Sequence, residues 1–192
     1  MQMHIAFGSA PAKTLEEAAL VPEVRTAALR WASQQEGNER GVLIGGLALA
    51  FYARPRQTMD VDVLVKSVSD VYVPQGFKKS RMHAIFDKAT QVEIEIVTPA
   101  FVGIPGDVAD RVMHTAWDLG AAGNHMRVAS LDSMIVLKLY GADSQKRRRQ
   151  DEADIQSMIE HNPRLDVEGL IRSWSLSEAH AEKLREIQSE AL

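Results

Sequence analysis

Asp60 and Asp62 are the residues whose type and spacing point most directly to chemistry in this chain. They stand two positions apart in the apolar segment DVDVLV, a pattern that predicts a buried β-strand. Because side chains alternate across a strand, both carboxylates would emerge on the same face. Two acids held together in this way repel each other and lose hydration unless a positive charge lies between them. A divalent metal ion is the simplest such charge, so the pattern indicates a metal site.

Gly45 and Gly46 lie about fifteen residues earlier, where an apolar run gives way to a helical pattern. Glycines at such a junction let the backbone approach a ligand closely, and the free N–H groups of a helix start attract phosphate. A glycine pair alone is more often a simple tight turn, and a spaced acid pair alone is more often a solvated edge. A helix between the two motifs would fold them back together, so the combination predicts a phosphate and metal site.

A third carboxylate is expected from the segment VEIEIV, whose strict alternation predicts another strand. Val92, Ile94 and Ile96 face one way in this pattern. Glu93 and Glu95 both face the other way, so alternation alone does not distinguish which of them joins the acid pair.

Together these motifs resemble the nucleotidyltransferase fold shared with DNA polymerase beta. That superfamily has a Gly-Gly or Gly-Ser at a helix start, an acid-x-acid strand and a third acid on an adjacent strand. Within it, GGLALAFYARPRQTMDVDVLV is similar to the small bacterial branch related to AbiEii-type abortive-infection toxins. The resemblance continues in VASLDSMIVLKLYGADSQKRRRQDEADIQSM and spans roughly residues 41 to 160. Its second motif contributes Ser130, Lys138, Arg147 to Arg149, Asp151 and Asp154.

The resemblance implies that the acids hold two divalent cations, Mg²⁺ or Mn²⁺, whose hard character suits carboxylate oxygens. Asp60 and Asp62 would be ligands, and Glu95 would complete the second metal site and help to deprotonate the acceptor. Glu95 is preferred over Glu93 because the apolar pair that follows it resembles the acid-then-apolar strand of the family.

The remaining matched residues would bind a nucleoside triphosphate. The glycine pair would cradle its β- and γ-phosphates, and Arg56 and Lys138 would neutralise its charge. Lys138 lies in an otherwise apolar helix, where a lysine can also extend to solvent. Asp151 would pair with Lys138 or contact the nucleotide, and it completes the catalytic set. The residues assigned to nucleotide binding are Gly45, Gly46, Arg56, Thr58, Lys138 and Asp154.

The activity implied by the resemblance is transfer of a nucleoside monophosphate from an NTP to an acceptor. Family analogy suggests tRNA as the acceptor and a role as the toxin of a toxin–antitoxin or abortive-infection system, with a cognate antitoxin protein as partner. The alternative is a catalytically quiet nucleotidyltransferase-fold binding protein or antitoxin-like regulator. A metal-dependent phosphohydrolase would need Asp/His clusters, which the sequence lacks.

Composition sets wider bounds. The 192 residues carry a formal net charge of −4, which is unusual for a general nucleic-acid binder, and contain no cysteine for a disulfide or thiolate site. No apolar stretch approaches a membrane span, and no signal peptide is evident, so we expect a cytoplasmic protein without membrane contact. The basic run from Lys146 to Arg149 is interpreted as a solvated helix start rather than a dedicated RNA site, and a phosphate track is the alternative.

The pattern along the chain predicts an α/β (α+β) fold, with a small mixed β-sheet flanked by helices. Residues 1–129 would form the α/β core, and residues 130–192 a helical C-terminal region packed on it. A capping box at Thr14 and Pro22 would start two N-terminal helices, a loop would surround Pro74 and Gly76, and Gly141 would fray or end a helix. Strands are predicted at 83–88, at 91–97 and, as a sheet edge, at 126–129; further helices are predicted at 107–116 and 131–142 and within 145–161, 166–174 and 177–191.

Overall fold

A computed structural model of the chain describes residue 11 and residues 13–34, 41–119 and 126–191. Within these ranges the protein is a mixed α/β structure built on one seven-stranded mixed sheet, which confirms the predicted fold class at this level. The strands are β1 Val42–Ile44, β2 Asp60–Leu64, β3 Phe77–Arg81, β4 Ala84–Asp87, β5 Glu93–Val97, β6 Trp117–Asp118 and β7 Arg127–Val128. The helices are α1 Leu15–Ala18, α2 Pro22–Ser33, α3 Gly45–Leu49, α4 Pro99–Val102, α5 Gly106–His114, α6 Leu131–Ala142, α7 Arg148–His161, α8 Val167–Trp174 and α9 Glu178–Ala191.

The strand order is β3-β4-β5-β2-β1-β7-β6. Strand β2 lies in the interior of this sheet, antiparallel to β1 and parallel to β5. The chain passes directly from β1 into α3, which packs on both β1 and β2. Consequently the glycine pair, the Asp-x-Asp strand and the glutamate strand are three neighbours in space.

The helices after residue 130 share the hydrophobic core of the sheet. Leu64 and Ile94 of the sheet, Met134 of α6 and Met158 of α7 are fully buried members of a single cluster. Two further hydrogen bonds involve Tyr52: its hydroxyl donates to the Ala129 carbonyl at 2.9 Å, and its carbonyl accepts from Asn162 Nδ2 at 2.7 Å. Among the described residues, no helix is long and apolar enough to cross a membrane.

The N-terminal helices begin where the sequence predicts. Thr14 accepts a hydrogen bond from the Glu17 backbone at 3.3 Å, and the Glu17 carboxylate accepts one from the Thr14 backbone at 2.8 Å, so the capping box is confirmed. Pro22 occupies the first turn of α2, as expected.

The position of one strand is predicted wrongly, and two strands are not predicted at all. The predicted loop around Pro74 and Gly76 is present, but β3, which follows it directly, is not predicted, because FKKSR buries only its phenylalanine and shows no alternation. Segment 126–129 contains a strand that lies between β1 and β6, whereas an edge position was predicted. Its neighbour β6 has only two residues, too few for a period to be visible. Helix α6 ends at Ala142, one residue after Gly141, so the predicted range 131–142 is confirmed.

Gly141 is needed for a close helix contact. A Cβ atom at this position would overlap the carboxylate of Asp151, which projects from α7. Helices α6 and α7 form extensive contacts, and the missing side chain at Gly141 gives the buried carboxylate its space. This glycine therefore lies inside a helix for packing, and helix termination does not explain it.

We expect Gly141→Ala to destabilise the protein, although alanine is the better helix former by about 1 kcal/mol. The added methyl group would collide with Asp151, and overpacking of this kind costs about 1–3 kcal/mol in the free energy of unfolding. Urea denaturation measures the effect. Gly106→Ala is the matched control, because a Cβ there meets no atom within 4 Å. A Gly141→Ala protein as stable as the Gly106→Ala protein would contradict the packing explanation.

Candidate functional site

The pairing of β2 with β5 brings three carboxylates together. The two strands are parallel, and their register places Asp62 beside Glu95. Asp60 lies two residues before Asp62 on the same face. One carboxylate oxygen of each of the three acids lies within 4.8 Å of the others. The three residues to which the sequence assigned metal binding therefore form one cluster.

Glu93 lies outside this cluster. Register places it beside Asp60, one residue pair before Glu95 along β5. Its carboxylate forms an ion pair with Arg81 and accepts a hydrogen bond from the Ser80 hydroxyl at 3.2 Å. Alternation alone does not distinguish the two glutamates, but their neighbours do. Glu93 is neutralised by an arginine, whereas Glu95 faces two aspartates.

Asp62 has the most strongly perturbed acid–base behaviour in the cluster. Burial, together with the negative charges of Asp60 and Glu95, raises the pKa of Asp62 to about 7. The nearby Arg147 guanidinium opposes this rise. Near neutral pH the cluster consequently carries more negative charge than its surroundings favour, and a proton or a cation relieves it.

Gly45 permits the close approach between the start of α3 and the acids. Its backbone is left-handed, with φ of +66°, and a Cβ atom would overlap the Asp62 carboxylate. Two independent constraints, one conformational and one steric, therefore require glycine here.

Gly46 faces a different pair of side chains. A Cβ atom there would lie 3.1 Å from Thr58 Oγ1 and 3.3 Å from Arg56 Nη2. The Thr58 hydroxyl donates a hydrogen bond to Asp60 Oδ1 at 2.7 Å, so it orients the most exposed acid of the cluster. The second glycine thus leaves room for residues that position the acid strand.

A buried ion network holds Lys138. Its ammonium lies 2.6 Å from Asp151 Oδ1 and 2.7 Å from Asp154 Oδ2. Arg56 Nη2 lies 3.6 Å from the same Asp154 oxygen. Lys138 is only 8% exposed, so it does not extend to solvent as an isolated lysine in an apolar helix would. The predicted pairing of Asp151 with Lys138 is present, and Asp154 joins it from the next turn of α7.

Asp62, Glu95 and Lys138 line a common cleft with a cavity volume of about 100 Å³. Gly45 and two of the clustered acids line one wall, and charged residues of α6 and α7 line the other. Asp60, Gly46, Thr58, Arg56 and Asp154 are not among its described lining residues and lie beside or behind it. The lining is Ile44, Gly45, Asp62, Glu95, Val97, Phe101, Val102, Ile104, Met134, Leu137, Lys138, Tyr140, Gly141, Arg147 and Asp151.

Sequence reasoning missed two parts of this cleft. Arg147 is exposed at the start of α7, as a solvated helix start predicts, but it also lines the cleft, and its charge acts on Asp62. Its spacing of four residues before Asp151 was the available signal, because that places both near the start of α7. The apolar wall around Phe101 was missed entirely, since its aromatic and aliphatic residues carry no chemical signature.

We expect ionisation of Asp62 to cost the metal-free protein stability as pH rises from about 4 to about 7. The folded-state pKa of Asp62 lies above its unfolded value, so ionising this acid costs more in the folded protein, and the cost is complete above about pH 7. Asp62→Asn should therefore raise the melting temperature more at pH 8 than at pH 5, measured by thermal unfolding in EDTA. Glu182→Gln, an exposed acid of α9, is the control and should act equally at both pH values. Equal effects of the two variants would contradict this assignment.

A scan against models of protein families gives no match for this chain, and a search of curated proteins gives none either. The functional conclusion therefore depends on the residues and the geometry described above.

Proposed function

We propose that this protein is a metal-dependent nucleotidyltransferase that moves a nucleoside monophosphate from an NTP to an acceptor. One observation carries the proposal: two of three clustered carboxylates, Asp62 and Glu95, line the same cleft as the buried Lys138. Acids alone would suit a cation, and a lysine alone would suit an anion. A site that offers both is suited to a polyphosphate with a divalent metal ion bound to it. The order of the motifs along the chain, which resembles the nucleotidyltransferase superfamily, supports the same conclusion.

The acid cluster suits Mg²⁺ or Mn²⁺. Its donors are carboxylate oxygens, which these hard cations prefer, and their separation of less than 4.8 Å allows a shared ion. The raised pKa of Asp62 supports a cation as well, because it indicates unbalanced negative charge. Asp60, Asp62 and Glu95 would hold the metal, which when bound would neutralise charge on the phosphoryl oxygens as the transition state forms.

Lys138 and Arg147 would bind the triphosphate from the opposite wall. Asp151 and Asp154 hold the ammonium of Lys138 in place before any ligand arrives, so little side-chain freedom is lost on binding. Arg147 presents a planar guanidinium that can contact two phosphate oxygens at once. Gly45 would allow the phosphates to approach the backbone at the start of α3.

The transfer would proceed by in-line displacement. The acceptor oxygen forms a bond to the α-phosphorus, while the bond from this phosphorus to the α–β bridging oxygen breaks. The bridging oxygen keeps the electron pair and leaves as part of pyrophosphate. Glu95 would take the acceptor proton, because it faces the cleft, whereas Glu93 is bound to Arg81.

The acceptor and the biological role extend this proposal. We propose tRNA as the first acceptor to test and a toxin restrained by a cognate antitoxin as the cellular role, both from the resemblance of the motifs. Because the net charge is −4, RNA would bind at a local basic patch. The exposed basic residues beside Arg147 provide one.

The purified protein, incubated with each of the four α-labelled NTPs, Mg²⁺ or Mn²⁺ and total tRNA, should transfer label and release pyrophosphate. Asp60→Asn and Glu95→Gln should each reduce transfer by roughly a hundredfold or more, because each removes a carboxylate ligand of the metal that would neutralise charge in the transition state. Glu93→Gln is the matched control on the same strand face and should stay within a few fold of wild type. Equal losses for the two glutamates would contradict the assignment of the third acid.

The same assay separates catalysis from the alternative of a quiet binding protein. Cell protein and aminoglycosides replace tRNA in parallel reactions. Binding of NTP with metal but no transfer to RNA, protein or small molecule would favour the alternative. Transfer that persists at the wild-type rate in Asp60→Asn would falsify the catalytic role of the acid cluster.

We expect Lys138→Met to weaken NTP binding at least tenfold and also to destabilise the protein. The variant leaves two buried carboxylates without their cation, an effect on the order of 3–5 kcal/mol in the free energy of unfolding. The double variant Lys138→Met, Asp151→Asn removes one of these charges and should recover part of the stability. Calorimetric titration with NTP should show no matching recovery of affinity. Recovery of both together would indicate that Lys138 has a structural role only.

A further inference from the structure

Phe101 is a large apolar side chain that remains 53% exposed while lining the functional cleft. It lies on α4, the short helix that follows β5. The other exposed large apolar residues of the described chain do not line this cleft, so the exposure at Phe101 is distinctive. These other residues are Leu20, Met59, Tyr72, Val73 and Met82.

His83 supports the Phe101 ring from behind. The two rings are stacked, with centroids 4.6 Å apart and planes inclined by 22°. The His83 carbonyl accepts a hydrogen bond from the Ile96 backbone at 2.7 Å, which holds the histidine against β5. Its Nδ1 atom is buried and has no hydrogen-bond partner among the described residues. An unsatisfied buried nitrogen of this kind is unusual in a purely structural residue.

Phe101, with His83 stacked on it, lies at the apolar end of the cleft, away from the acids. Along β5, Glu95 and Val97 share one face and both line the cleft, and α4 begins two residues after Val97. Val102 and Ile104 extend this wall, and Tyr140 lies on α6 opposite. A substrate with its phosphates at the acids and Lys138 would therefore have an apolar surface with an aromatic ring at one side.

This surface suits a planar ring better than an aliphatic chain. An aromatic face that is open on one side and supported on the other offers a flat contact to a second ring. Stacking of nucleobases on aromatic side chains contributes strongly to nucleotide binding and tolerates any base, because every base has a π-face. A single exposed phenylalanine is common on protein surfaces, but Phe101 both lines a charged cleft and is stacked on a second ring.

We propose that Phe101, supported by His83, is a stacking platform for a nucleobase of a substrate bound in the cleft. The proposal rests on the proposed nucleotidyltransferase function and identifies where that site contacts a base. The base belongs either to the NTP or to a nucleic-acid acceptor, and the chemistry of the contact is the same for both. Phe101 would touch the ring, and His83 is a positioning residue that fixes the orientation of Phe101.

The first experiment tests the base of the NTP. Binding of the four NTPs and of inorganic tripolyphosphate, each with Mg²⁺, is measured by calorimetry for wild type and Phe101→Ala. Phe101→Ala should weaken binding of at least one NTP about tenfold and leave tripolyphosphate within twofold. Phe101→Trp should retain NTP affinity, and Phe101→Leu should lie between, since leucine keeps apolar area without a π-face.

The second experiment tests the acceptor. A fluorescently labelled single-stranded RNA hexamer is titrated into wild type and the same variants. Unchanged NTP binding with at least fivefold weaker RNA binding in Phe101→Ala assigns the platform to the acceptor base. His83→Phe should preserve the affected affinity, and His83→Ala should lower it by a smaller factor than Phe101→Ala. Tyr72→Ala, an exposed aromatic residue that does not line the cleft, is the control and should change neither affinity.

The outcomes separate this proposal from the proposed function. NTP and RNA affinities that both stay within twofold in Phe101→Ala would overturn the platform and leave the acid and lysine site untouched. In the converse case, the wild-type protein fails to bind tripolyphosphate with Mg²⁺ but binds NTP or RNA in a way that depends on Phe101. That result would refute the phosphate site and support the platform. An equal loss of tripolyphosphate binding in Phe101→Ala would show a general structural defect and also overturn the proposal.

Discussion

Mutual repulsion among Asp60, Asp62 and Glu95 is the interaction around which the rest of this structure is arranged. Parallel pairing of two interior strands places Asp62 beside Glu95, and a slip of one residue in either strand would turn its apolar side chains to the other face. Burial makes the repulsion stronger, as the raised pKa of Asp62 shows. The hydrophobic effect that stabilises the sheet therefore also maintains an electrostatically unfavourable cluster, which is a common property of functional sites.

Neighbouring elements act on this cluster in two ways. Glycine at position 45 allows the start of α3 to approach the Asp62 carboxylate, and Thr58 orients Asp60 through a hydrogen bond. The positive charge of Lys138 is held a short distance from the acid cluster, because Lys138 is already paired with two aspartates of α7. Acids and cations thus line one cleft, no direct ion pair joins them within the described part of the chain, and the space between them remains open to a ligand.

Close packing made possible by a glycine is also found in the helical half. Gly141 allows α6 and α7 to lie close enough for Asp151 to reach Lys138, and Asp154 reaches the same ammonium from the next turn. A buried ion network of this kind is seldom the most stable solution for a core, since apolar residues of similar volume often serve stability better. Its retention here is consistent with a functional role for the lysine.

Local sequence patterns are enough to predict the acid strand, the glycine junction, the third-acid strand and the order of the later helices. Each follows from a local period or from a turn residue, which neighbours along the chain are enough to reveal. Alternation leaves Glu93 and Glu95 equivalent, and the three-dimensional structure distinguishes them, because strand register and the side chains of another strand place Glu95 in the cluster and Glu93 beside Arg81. The structure also shows that Arg147 lines the cleft with Asp62 and that Phe101 and His83 stack. These contacts join segments that are distant along the chain. Residue type alone does not reveal which distant segments will come into contact.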